Sequence, residues 1–333
     1  MPRQGRIHIE GGIYHVIQRG IERREIFKDD EDREEFLKRL EEGLRYTRDK
    51  CYGWVLMPNH FHLVIRTSLM PLSDLMRRLL TGYALYFNKR HKRSGYLYQG
   101  RYKSILCQED AYLLELIRYV HLNPLRAGMV KEVSGLRGYK WSGHVELVGS
   151  NKWEWQSTED IWGLFGKRKN KAIKSYEEFI IEGVGNVRKG EFSGGGLIRS
   201  IGGWKEAEKF RREKWLQEAD ERILGDGDFV SQTLQEAEEK MERREKLKQD
   251  GWDIERVIQK VCKLMDVSSG EIKRESRRSR VAQAKSVAVY LANKELGIRG
   301  SELAEYFEIT RASISASIQR GKKIVEDNEY LII

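Results

Sequence analysis

The 333-residue chain is basic, with 61 Lys and Arg against 51 Asp and Glu, a formal net charge of +10 and 40% hydrophobic residues. That balance supplies cores for two or three domains and favours a polyanionic partner, nucleic acid ahead of an anionic membrane surface. No apolar run approaches the roughly 20 residues of a membrane span, MPRQGRIHIEGG lacks the apolar core of a signal peptide, and Cys51, Cys107 and Cys262 are scattered without pairing spacing, so a reduced, cytoplasmic and nucleoid-associated protein is expected.

A Gly-Gly pair precedes Ile13-Tyr14-His15-Val16-Ile17-Gln18-Arg19, which reads as a strand leaving a turn. His15 either faces the same side as two later histidines or simply sits in the sheet. From Asp29 onward, acidic residues crowd the start of a pattern carrying Phe36, Leu37, Leu40 and Leu44. This predicts an amphipathic helix with a complemented N-terminal dipole, ending near Asp49-Lys50. Cys51–Met57 reads as a second strand, and Pro58-Asn59 turns it into a third, His60-Phe61-His62-Leu63-Val64-Ile65, so an antiparallel hairpin is expected.

Phe61, Leu63 and Ile65 alternate with His60, His62 and Val64, the period of a strand with one buried face. The two histidines therefore project from one face, about 7 Å apart along the chain. Two imidazoles on a rigid strand make half of a divalent-metal site; the alternative is a core histidine beside an incidental one. A second helix is predicted from Pro71 to about Arg90, with Leu72, Leu75, Met76, Leu79, Tyr83 and Phe87 as its buried stripe.

Residues 88–103 interleave cations with tyrosines, and between Arg66 and Lys140 there are 14 Lys and Arg against 5 Asp and Glu. Bases stack on aromatic rings while cations hold phosphates, so Tyr98, Arg101 and Lys103 are candidate DNA contacts; the plainer reading is a solvated face. A third helix runs from Glu109, packs through Leu113, Leu116, Ile117 and Val120, and should stop at Asn123 ahead of Pro124. Tyr119 and Asn123, at i and i+4, lie about 40° apart at the edge of that stripe. They form either a polar ledge facing the histidine strand or a core-edge aromatic and a C-terminal cap.

Four runs in this order resemble the REP-associated tyrosine transposases, within the single-tyrosine HUH transposases. They are Gly12–Gly20, Met57–Val64, Gln99–Ser104 and Arg118–Gly128. The resemblance implies a ferredoxin-like antiparallel sheet with helices, a divalent metal and one catalytic tyrosine. Carried over by position, His60 and His62 would bind the metal and take part in catalysis, Tyr119 would be the nucleophile, and Asn123 would supply a third polar ligand. The substrate it implies is single-stranded DNA near a hairpin, cleaved and rejoined through a covalent 5′-phosphotyrosine. Histidine plus an amide oxygen suits Mg²⁺ or Mn²⁺ in use, and the lack of thiolates disfavours structural zinc. A phenol with an ordinary pKa of about 10 needs help to lose its proton. His121 sits about 200° round the helix from Tyr119 and is not expected to provide it.

Beyond residue 150 the texture changes. Trp153, Trp155 and Trp162 lead into charged, helical sequence, and the Gly194-Gly195-Gly196 and Gly202-Gly203 runs read as turns or a hinge. A helix is expected to open at Ile223–Val230 and to run on through Glu238–Lys246 as a solvated linker. From Trp252 three or four helices are readable, the first packing through Val257, Val261 and Leu264. The basic run Lys273–Arg280 precedes Ala284–Leu291. Ser301–Phe307 and Thr310–Arg320 then form a helix-turn-helix with Thr310 as cap. Small polar residues early on its second helix sit where base edges would be met, with Arg311 and Arg320 as DNA contacts. This part resembles the C-terminal DNA-binding domain of the initiator DnaA, without the Arg-Asp-His run usual on that family's recognition helix.

The sequence therefore predicts three parts: an α+β endonuclease domain over 1–150, a helical linker over 151–250 and a helix-turn-helix domain over 251–333 that binds duplex DNA. The competing readings are a DNA-binding regulator that kept the fold and lost cleavage, and an RNA-binding protein that would leave the histidines and tyrosine unused.

Overall fold

The computed structural model describes residues 7–150, 152–184, 220, 222–225, 227–273 and 279–328. The glycine runs at 194–196 and 202–203, expected to be turns or a hinge, and residues 274–278 of the basic run lie outside the described residues. The chain divides into two compact units, Met1–Leu234 and Gln235–Ile333. No helix among the described residues is long and apolar enough to cross a membrane.

The first unit begins β1 (Ile13–Arg19), α1 (Asp30–Thr47), β2 (Lys50–Met57), β3 (His60–Arg66), α2 (Leu72–Arg90) and β4 (Lys103–Cys107). Spatial order β2-β3-β1-β4 with antiparallel pairing makes this a ferredoxin-like βαββαβ sheet. Each element follows from local chemistry. The Asp29 carboxylate caps α1 by accepting from the Asp32 N–H at 3.0 Å, and three acidic residues occupy its first turn. Pro58-Asn59 closes the β2–β3 hairpin, and the Arg19, Phe27 and His60 region is drawn together when Gly20 N–H donates to the Asn59 carbonyl at 2.8 Å. The expected α2 stripe is fully buried.

Helices α1 and α2 cover one face of the sheet, where Phe27, Phe36, Phe61 and Tyr83 interlock; Phe36 and Phe61 lie 4.7 Å apart between ring centroids. Burying each such ring contributes roughly 1.5–3 kcal/mol. The opposite face is covered by α3 (Glu109–His121), through Leu113, Leu116, Ile117 and Val120. The predicted stop at Asn123 comes earlier, at His121, and a further short helix α4 (Asn123–Arg126) follows. Pro124 stands in the first turn of α4, where a missing N–H is harmless.

Residues past the sequence division at 150 pack into this unit. After α5 (His144–Leu147) come α6 (Thr158–Phe165) and α7 (Lys169–Glu182), which bury Ile161, Trp162, Ala172, Tyr176 and Ile180 in the same core as α3. The outer edge of β2 is covered as well. Leu56 N–H donates to the Trp141 carbonyl, Gly143 N–H to Trp54 and Ser157 N–H to Cys51, at 2.8–2.9 Å. On the other side β5 (Ile223–Leu224), expected as the opening of a helix, pairs parallel with Leu106 and Cys107 of β4. The helix itself, α8 (Gly227–Gln249), starts after it.

The second unit contains α9 (Ile254–Met265), α10 (Ser269–Lys273), α11 (Ser279–Lys294), α12 (Gly300–Tyr306) and α13 (Arg311–Asp327). On α9 Val257 and Val261 are buried as expected, but Leu264 is exposed, its place taken by Ile258, Cys262 and Met265. Thr310 caps α13 as predicted, its hydroxyl accepting from the Ser313 N–H at 3.1 Å. Arg311 and Arg320 are both exposed; nine residues apart, they stand about 180° from each other round the axis.

Candidate active site

Strand register assembles the site. Because β1 pairs His15 with Val64, Ile17 with His62 and Arg19 with His60, the side chains of His15, Arg19, His60 and His62 emerge on one face, beneath α3. From α3, Tyr119 meets that face edge-on, its ring centroid 5.8 Å from His15 and 5.9 Å from His62. The His60 and His62 centroids are 5.2 Å apart. His15, His62 and Tyr119 are buried, whereas His60 is half-buried and marks the open side.

Each imidazole of the pair is oriented through Nδ1. His60 Nδ1 lies 2.7 Å from Asn59 Oδ1. The Asn59 amide is itself fixed, its nitrogen donating to the Arg23 carbonyl at 2.9 Å, so its oxygen must accept the His60 Nδ1 proton. That leaves the His60 Nε2 lone pair as a donor to a cation. His62 Nδ1 lies 2.9 Å from His15 Nε2, with the two rings stacked. Burial, with Arg19 adding to it, lowers the His60 pKa to about 4. Burial and the neighbouring His15, His60 and Arg19 hold His62 well below 6.5. Both imidazoles are thus neutral at pH 7, the state a metal requires.

Asn123 donates its amide nitrogen to the Tyr119 and Val120 carbonyls at 2.9 and 3.2 Å. It therefore caps α3, and its oxygen is the remaining acceptor. Among the described residues no group of three or more His, Cys, Asp and Glu is placed to hold a metal ion. The donor set present, two oriented neutral imidazoles, fits a borderline divalent cation that keeps water or phosphate oxygens in its other positions.

Burial raises the Tyr119 pKa, and the charges of Arg126 and then Arg19 oppose that rise. The Arg126 guanidinium sits 5.1 Å from the centre of the Tyr119 ring and donates to the Tyr119 carbonyl at 3.3 Å. The charges of two cations therefore act on the phenol. His121, as expected, turns away and lies against Tyr176.

The cation–tyrosine loop borders the same end of the sheet. Gln99 N–H donates to the Arg19 carbonyl at 2.9 Å, Ile21 N–H to Leu97 at 3.0 Å, and the Gln18 amide to Gly100 at 3.0 Å. Arg101 and Lys103 are exposed there, Lys103 as the first residue of β4. Tyr98 is half-buried against the α1–α2 core with its phenol oxygen inside, while Tyr96 is the exposed ring of this loop. Arg19, Asn59 and Arg126 join the site without having been singled out by sequence, and the strand register puts His15, left open between two readings, on the side of His60 and His62. Signals existed for His15 and Arg19, which share the odd-numbered face of β1.

A buried tyrosine set edge-on to neutral imidazoles, beside arginines and on a ferredoxin-like sheet, brings a candidate nucleophile, candidate metal donors and positive charge together. Residues 9–123 match the family described as "Transposase IS200 like", and residues 254–320 match "Bacterial dnaA protein helix-turn-helix". His15, Arg19, Asn59, His60, His62, Tyr119 and Asn123 all fall inside the span similar to the IS200-like transposases, and the helix-turn-helix match falls inside the second unit. A solved structure of a REP-associated tyrosine transposase bound to a REP hairpin is similar at 17% identity and a TM-score of 0.38, covering 45% of this chain and 87% of that one. No curated protein matches the chain.

Proposed function

We propose that this protein is a transposase that cleaves and rejoins single-stranded DNA at hairpin-associated sites, with Tyr119 as its nucleophile. The observation that carries the reading is the edge-on seat of Tyr119 over His15 and His62, inside the family-matched span. In the first step Tyr119 Oη attacks a phosphorus, the bond to the 3′ oxygen breaks, and that oxygen takes a proton. The products are a 5′-phosphotyrosine and a free 3′ hydroxyl, and the conserved ester energy permits later rejoining. Arg19 and Arg126 stand where they neutralise the phosphate and favour the phenolate. His60 and His62, with the Asn123 oxygen as third donor, would hold Mg²⁺ or Mn²⁺. Such a cation, when bound, supplies charge neutralisation and in-line orientation of the phosphate.

Arg101 and Lys103 contact the DNA backbone at the loop bordering the site, which Tyr98 anchors to the α1–α2 core. The DnaA-type unit binds duplex DNA through α13, Arg311 reading near its N-terminus and Arg320 contacting phosphate on another side. Tethering one recognition module to another raises the local concentration of the cleaving unit near a chosen duplex.

The test is covalent capture. Incubation with labelled single strands carrying the inverted repeats that flank the gene, with Mn²⁺, should leave a 5′-linked adduct on the native protein. Tyr119→Phe removes one oxygen and little packing, so the adduct should vanish while the fold, read by circular dichroism, persists. A full-strength adduct in that variant would overturn the assignment.

A further inference from the structure

A second buried polar cluster lies in the first unit, apart from the candidate site. The Tyr176 hydroxyl of α7 stands 2.8 Å from His121 Nδ1 on α3 and 2.9 Å from His144 Nδ1 on α5. All three side chains are buried. A phenol has one proton, so it donates to one imidazole and accepts from the other, an arrangement satisfied while both imidazoles are neutral. Tyr176 thus ties three helices together at one atom.

The tie falls beside Tyr119. His121 follows it by two residues, and Arg118, which directly precedes it, is gripped by the same helix. The Arg118 guanidinium lies 4.1 Å over the Phe179 ring and donates to the Phe179 carbonyl at 3.2 Å. Gly183 closes against the Arg118 stem so tightly that a Cβ there would collide with it. Beneath, Gly53 of β2 leaves the hollow that His121 fills, since a Cβ would stand 3.2 Å from His121 Nε2. Tyr119 stands in the last turn of α3, whose carbonyls Asn123 and Arg126 cap from the end, and α7 adds a hold from the side through His121 and Arg118.

We propose that α7 is a brace for the nucleophile, with Tyr176 and Arg118 as positioning residues that fix the last turn of α3 and so the reach of Tyr119. The proposal rests on the reading of Tyr119 as nucleophile. It extends that reading, because α7 lies wholly outside the span matched to the transposase family, residues 9–123. This chain supplies from later sequence the part that steadies its own reactive side chain. A displacement of about 1 Å at a reacting group is enough to cost about a hundredfold in rate.

The experiment uses the full chain and two readouts. Tyr176→Phe keeps the ring and removes both hydrogen bonds. Phe165→Leu serves as the comparator, since Phe165 packs on Tyr176 and Phe179 rings and loosens the same core without unfastening His121. Single-turnover cleavage of the flanking-repeat oligonucleotide with Mn²⁺ should fall about ten- to a hundredfold in Tyr176→Phe, with oligonucleotide affinity within about twofold of native. Phe165→Leu, measured well below its melting temperature, should cleave at close to the native rate. Amide hydrogen exchange should quicken at 118–121 in Tyr176→Phe while β1 and β3 stay protected. Native rate and native exchange in folded Tyr176→Phe would overturn the brace, as would equal slowing in Phe165→Leu. Loss of the Tyr119 assignment shows separately, as an adduct persisting in Tyr119→Phe, and the exchange measurement still judges the brace in that case.

Discussion

The two faces of the ferredoxin-like sheet are made by the same strands and share almost no chemistry. Toward α1 and α2, β1 and β3 present Tyr14, Val16, Phe61, Leu63 and Ile65 to a core of interlocked aromatic rings. Toward α3, the alternate residues of those strands present His15, Arg19, His60 and His62, and farther along the same layer His121 and His144 meet Tyr176. A strand's period of two makes this separation cheap in sequence: one apolar face gives rigidity, and the other receives groups that are costly to bury and are oriented by hydrogen bonds. The difference teaches that the dry face is what holds the polar face to the tolerances chemistry needs.

Substitutions that cross the division give the largest expected contrast. His62→Ala should abolish cleavage and sharply weaken Mn²⁺ binding, read by calorimetry, while leaving a folded protein. Its strand neighbour Phe61→Ala, on the dry face, should destabilise by about 3–5 kcal/mol in denaturant unfolding. A His62→Ala protein that cleaves normally in excess chelator would remove the metal from the proposal.

Acid offers a second contrast, directed at the polar layer. Burial, reinforced by the nearby Arg137 charge, lowers the His144 pKa to about 4, against about 6.5 in an unfolded chain. Between those values the unfolded state binds a proton that the folded state refuses. Stability is therefore full above pH 6.5 and is lost as pH falls toward 4, by on the order of 3 kcal/mol for this group. His121, also held low by burial, acts in the same direction. His144→Gln should flatten the acid limb of a plot of unfolding midpoint against pH; an unchanged limb would show that other groups dominate it.

The smallest effect is expected at Asn123. Its amide nitrogen caps α3, so Asn123→Ala should cost about 0.5–1.5 kcal/mol as a lost capping hydrogen bond, and cleavage should drop only at limiting metal. Full cleavage by Asn123→Ala at limiting Mn²⁺ would leave Asn123 as a cap alone.

Much of this arrangement is legible in the sequence where a period is long enough to count. The α2 stripe from Leu72 to Phe87, the histidine strand and the Thr310-capped helix all follow from spacing and capping. A two-residue strand has no period, so β5 reads as the start of a helix until its pairing with β4 is seen. His15 stays ambiguous because one strand's alternation does not say which face lines up with another's; that needs the register placing His15 opposite Val64. Asn59 reads as turn chemistry, and its hold on His60 depends on a third partner, Arg23, far back in the chain. In α6 and α7 the core residues are sparse among Lys and Glu, so the texture near 150 suggests a linker although Trp162 and Tyr176 pack under α3.

Sheet edges are where β proteins recruit unwanted neighbours, through rows of unpaired amides and carbonyls. In this molecule both flanks of the sheet are occupied by later parts of the same chain. Along β2 the occupants are Trp141, Gly143 and Ser157, and beside the apolar end of β4 they are Ile223 and Leu224, while the remaining end of β4 opens with the charged Lys103. Strand addition by a second copy or an extended peptide is thereby discouraged on either side. A truncation that stripped the later segments would expose raw strand borders and invite aggregation before any question of chemistry arose.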